Sequence, residues 1–104
     1  MGVDAREVVR YAKRIGCSLS RYSDVRNCDH FCAVRCLFHM ANKNWKKHRY
    51  EDLRKHFGIN AEDFRAIEHG FEDWDFLPKY VNNPYYKVGQ NIARLAGLLK
   101  RNSL

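Results

Sequence analysis

Apolar residues recur along this chain at helical spacing, and cap- and turn-forming residues punctuate the recurrence. Asp4 stands as an N-cap with Glu7 three residues on; Val8, Tyr11, Ala12 and Ile15 continue the period and Gly16 closes the series, which predicts a first helix. Cys17 to Asn27 has no such period and several cap-forming residues, so a loop is expected, with Asp24 or Asn27 capping the next helix. That second helix is expected from about Cys28 to Ala41. Phe31, Val34, Phe38 and Ala41 give it one face, Cys32, Cys36 and Met40 widen that face, and it is apolar enough to be the central helix. Trp45 to Phe57 predicts a third helix with Tyr50, Leu53 and Phe57 inward, stopped by Gly58.

Asn60 then opens a fourth helix as N-cap, with Asp63 at its third position and Phe64, Ile67 and Phe71 buried. Glu72 to Tyr80 mixes acids with Trp74, Phe76 and Leu77 and is expected to be an irregular connection pinned by its aromatics. Asn83-Pro84 pairs a cap with a proline at the first helical position, where a missing N–H costs nothing. Tyr85, Val88, Ile92, Leu95 and Leu99 continue from it as one face; Gly89, Ala93, Ala96 and Gly97 beside them would admit another helix closely. No segment alternates as a strand does. The expected fold is therefore all-α, a bundle of about five helices forming one domain over residues 1–104.

Composition narrows the class. With 45% hydrophobic and 13% aromatic residues the chain can bury a core, and no stretch approaches the roughly 18 apolar residues of a membrane span. The start, Met1-Gly2-Val3-Asp4-Ala5-Arg6-Glu7, lacks the apolar stretch of a signal peptide. A cytoplasmic location with reduced thiols is expected for Cys17, Cys28, Cys32 and Cys36. The net charge of +7 is unevenly placed: residues 1–56 carry 13 Lys and Arg against 6 Asp and Glu, 57–75 carry 1 against 6, and 76–104 carry 5 against none. Two basic ends flanking an acidic middle suit an acidic partner, nucleic acid among them.

Leu53 to Gly70 resembles the helix-turn-helix of the Cro and phage-repressor family, in register at Leu53, Phe57, Gly58, Ile59, Asn60, Phe64, Ile67, Glu68 and Gly70. The resemblance implies a tight turn at the glycine, Ile59 plugging the angle between two helices, and a second helix offered to DNA. Its start, however, is Ala61, Glu62 and Asp63, with Arg65 the one cation before Glu68, and carboxylates repel phosphates. The nucleic-acid footprint is expected instead at Lys43, Lys46, Lys47, His48, Arg49, Arg54 and Lys55, joined by Arg65, with Trp45 and Tyr50 available for stacking.

For enzyme or metal chemistry the pattern offers little. Cys28, Cys32 and Cys36 fall every fourth residue with His39 beyond; on a straight helix the outer two stand about 12 Å apart at 1.5 Å per residue, too far to share a zinc. His30, His48, His56 and His69 and the acids Asp73 and Asp75 lie in no nucleophile elbow, phosphate loop or metalloprotease motif. No cofactor and no catalytic residue are implied. The expected function is a small non-enzymatic binding protein that contacts nucleic acid, or a complex processing it, through its basic surface. A second expectation is an accessory or inhibitor protein, similar to those of phages and mobile elements, that docks on a host protein through Asp73, Trp74, Asp75 and Phe76, where acids and aromatics alternate. A zinc-stabilised module stands third.

Overall fold

Asp4 begins the first helix as its position predicts: its Oδ1 accepts the Arg6 backbone N–H at 2.9 Å, and α1 (Ala5–Arg14) runs to Ile15 and a left-handed Gly16. The computed structural model describes residues 2–21, 31–41 and 49–98. Among them come next α2 (Ala33–Ala41), α3 (Tyr50–Phe57), α4 (Ala61–Glu72), α5 (Pro78–Val81) and α6 (Pro84–Leu95), with no strand. The all-α expectation holds, with six helices where about five were expected, because Pro78 starts one short turn inside the segment expected to be irregular.

Helix α2 begins five residues later than the spacing predicted. Cys32 precedes it, its Sγ accepting the Arg35 N–H at 3.4 Å and its carbonyl accepting the Cys36 N–H at 3.0 Å, so a thiol serves as the cap. The expected helical stripe of cysteines therefore breaks at Cys32; Cys28 lies outside the described residues. Trp45, the expected start of the third helix, also lies outside them, and α3 is described from Tyr50. Tyr50 is 45% exposed rather than buried, its ring edge-on to Phe38 at 5.6 Å.

Gly58 ends α3 in the left-handed region at φ 72° and Ile59 is buried, as the turn requires. Asn60 and Asp63 form a full capping box: the Asn60 side chain accepts the Asp63 N–H at 2.9 Å while the Asp63 carboxylate accepts the Asn60 N–H at 3.4 Å. From Phe64 to Glu72, α4 is buried except at Arg65 and Glu68, and Phe64, Ile67 and Phe71 are essentially inaccessible. Burial of side chains of this size contributes about 1.5–3 kcal/mol each.

Two further expectations shift by a residue or two. Helix α4 continues through a buried Glu72 to Asp73, which ends it at φ 60°, so the connection to α5 starts at Trp74. Helix α6 opens on Asn83 and Pro84 as expected but buries Tyr86, Gly89, Ile92 and Ala93; Tyr85 and Val88 are half-buried and Leu95 is 38% exposed. Helices α4 and α6 form the most extensive pairing, α1 packs on α6, and α2 joins α1, α3 and α4. One buried cluster runs through α1, α2, α3, α4 and α6.

Candidate nucleic-acid interface

Of the basic residues expected to form a footprint, Lys43, Lys46 and Lys47, with Trp45 and His48, lie outside the described residues. Arg49, Arg54 and Lys55 are exposed on or beside α3, but two of them have acidic neighbours on the same helix: Arg49 Nε stands 3.7 Å from Asp52 and Lys55 Nζ 3.4 Å from Glu51. Such exposed pairs contribute little to stability, yet they offset the local positive potential. Arg65 is exposed on α4 and donates to the Tyr80 hydroxyl; that bond, with Lys79 close by, holds the Tyr80 pKa below its ordinary value. The outward side of α4 thus presents Glu62, Arg65 and, half-buried, Glu68, whose carboxyl is pushed up by desolvation against the opposing pull of Arg65.

The acidic and aromatic segment divides in two. Trp74 turns inward, edge-on to His69 at 5.2 Å, and its carbonyl accepts the Tyr86 hydroxyl at 3.2 Å. Phe76, beside an exposed Asp75, is 65% exposed, with one side of its ring toward His69 and Trp74. Trp74, Phe76 and Tyr80 surround His69, which is buried with no hydrogen-bond partner at Nδ1; desolvation, and then Lys79, lower its pKa. Asp73 is half-buried at the end of α4.

Among the described residues, a larger basic surface lies where no basic run marks it. Arg6, Arg10, Lys13 and Arg14 are all exposed on α1, and Lys87 and Arg94 are exposed on α6 with Asn91 between them. Residues 6, 10 and 13, like 87, 91 and 94, are spaced four and three apart, so each set forms one helical face. One groove connects these faces and a second adjoins it on the α6 side. The first, about 550 Å³, runs between Arg6, Asp4 and Val3 on one side and Val88, Asn91 and Arg94 on the other. The second, about 380 Å³, shares Asn91 and Arg94 and continues past Lys87 and Gln90 to Arg21 and Asp73. Lys13 borders a third hollow with Ala96, further along the seam. The signal in the sequence was the helical period of these cations, opposite the apolar stripe, rather than their local density.

Among the described thiols, Cys32 and Cys36 are not poised for chemistry. Cys36 is fully buried, its thiol donates to the Val8 carbonyl at 3.6 Å, and burial pushes its pKa up to about 12; burial also raises that of Cys32. Among the described residues, no group of three or more His, Cys, Asp or Glu side chains is placed to hold a metal ion, and no helix is long and apolar enough to cross a membrane. Comparison with protein-family models, with curated proteins and with solved structures gives no match for this chain.

Proposed function

We propose that this chain is a small non-enzymatic binding protein that contacts nucleic acid, or a nucleic-acid-bound complex, through the basic seam between α1 and α6. The observation that carries the reading is that Arg6 and Arg94 face each other across one groove between α1 and α6, with Lys13 at a hollow further along that seam and Lys87 on the adjoining α4–α6 groove. Cations spaced along a groove meet successive phosphates and release their counterions, which supplies affinity without sequence reading. The helix-turn-helix resemblance contributes geometry to this reading but not the interface: α4 is enclosed by α2, α5 and α6, and its free side sets Arg65 between Glu62 and Glu68.

Salt-titrated binding of the full chain to mixed-sequence single- and double-stranded DNA and RNA tests the reading. A linear fall of log affinity with log salt concentration is expected, with a slope of about −0.7 per phosphate contacted on single strands and about −0.9 on duplex DNA. Absence of binding to all of them at low salt would overturn it. In that event the second reading, docking on a host protein, is favoured by the outward Phe76 beside Asp75.

A further inference from the structure

The groove of about 380 Å³ between α4 and α6 is larger than a phosphate group requires and falls in the range of small-molecule pockets. Its lining is largely apolar, with the buried Gly70 of α4 and Ala93 of α6 at its base and Leu98 closing one side. Its rim is polar. Gln90 and Asn91 bring side-chain amides, each able to donate and accept, and Asp73 brings a carboxylate. Lys87 and Arg94 are exposed at the edge; Arg21 is only 4% exposed, its Nε donating to the Phe71 carbonyl at 2.8 Å.

A free anion fits this arrangement poorly, because the apolar lining solvates no charge. A planar heterocycle with polar edges fits it better. Its face would lie against Leu98, and its edge would meet the amides of Gln90 and Asn91. Protein recognition of single strands uses such splayed bases, read at the edge while cations hold the backbone on either side. The neighbouring groove begins at the same Asn91 and Arg94 and leads to Arg6, which gives the strand a continuing path.

We infer that this groove receives one unstacked nucleobase of a bound single strand, with Lys87 and Arg94 on the flanking phosphates. The inference rests on the proposed nucleic-acid reading and specifies its substrate as a single strand with accessible bases.

The test compares a single-stranded oligonucleotide with an abasic strand of equal length and charge, using the full chain at fixed salt. An accommodated base is expected to favour the normal strand by about fivefold, the lower end of what one stacked base contributes. Asn91→Trp, at an exposed position, fills the mouth of the groove; it is expected to abolish that preference. Gln90→Ala, which only removes an amide, is expected to reduce the preference and serves if the tryptophan variant does not fold. Equal affinity of the wild-type chain for both strands would overturn the base-binding groove and leave the basic seam standing. No binding to either strand at low salt would overturn both.

Discussion

Gly70 of α4 and Gly89 of α6 stand against each other's helix backbones. A Cβ on Gly70 would fall within contact distance of the Tyr86 carbonyl group, 2.9 Å from its carbon, and one on Gly89 would collide with the Ile67 carbonyl and approach the Phe71 nitrogen to 2.7 Å. Neither neighbour is a side-chain tip that could swing away. Each glycine costs about 1 kcal/mol of helix propensity relative to alanine, so the close crossing must return more than that. It does so by letting Ile67, Phe71, Ile92 and Ala93 close the core. Gly70→Ala and Gly89→Ala are each expected to lower stability by about 2 kcal/mol or more through overpacking, measured as a fall in the urea midpoint. Gly16→Ala, where a Cβ would meet nothing within 4 Å, is expected to cost about 1 kcal/mol from its positive φ alone. Wild-type midpoints for both helix variants would show that α4 and α6 can separate without loss.

This crossing also marks where the sequence stopped being informative. Asn60, Gly58 and the Asn83-Pro84 pair act through bonds to residues two or three positions away, so their roles could be read from local order alone. Which side of α6 is buried depends on α4, more than ten residues distant. The apolar series of Tyr85, Val88 and Leu95 pointed to a face rotated from the real one, because Gly89 and Ala93 attract a neighbour through absence of bulk rather than through hydrophobicity. The basic seam was hidden for a related reason: Arg6 and Arg94 meet only after α1 packs on α6, whereas the basic residues of 43–55 are conspicuous along the chain.

Asp63 ties the starts of two helices together. One carboxylate oxygen accepts the Asn60 N–H at 3.4 Å, and the other accepts the Asn83 side-chain amide at 3.0 Å, while Asn83 itself caps Tyr85 at 2.9 Å. Asn60→Ala is expected to cost about 1 kcal/mol, the usual value of an N-cap. Asp63→Ala should cost more, since it loosens both caps. In a double-mutant cycle, Asp63→Ala and Asn83→Ala are expected to couple by about 0.5–1 kcal/mol. Strict additivity would mean that the bridge between them contributes nothing.

His69 predicts a dependence of stability on pH. Its pKa in the folded chain is below the ordinary 6.5, owing first to desolvation and then to Lys79, so the unfolded chain binds the proton more readily. The stability associated with neutral His69 is fully present above about pH 6.5 and is lost as pH falls through the lower folded value. Glu68 works in the opposite sense: its folded pKa is raised above 4.5, so its contribution is fully present below that value and is lost as pH rises. Protonation of Glu68 on acidification therefore offsets part of the loss at His69. Replacing the histidine by phenylalanine, among Trp74, Phe76 and Tyr80, removes one titration and the unpartnered Nδ1 together. His69→Phe is expected to flatten the fall in thermal midpoint below pH 6.5. An unchanged pH profile would place the acid sensitivity elsewhere.

The two basic surfaces make opposite predictions about salt dependence. If phosphates lie along α1 and α6, Arg6→Ala with Arg94→Ala removes two contacts and should weaken the salt slope on single strands by about 1.4. Arg49→Ala with Lys55→Ala removes cations beside Asp52 and Glu51, and the slope should hardly change. All four side chains are exposed, so folding should tolerate either pair, with stability changes within about 0.5 kcal/mol. Affinity for mixed-sequence single strands, measured across a range of salt concentrations, distinguishes the two surfaces. A slope lowered by the second pair and untouched by the first would move the interface to α3, where the density of basic residues along the chain had pointed.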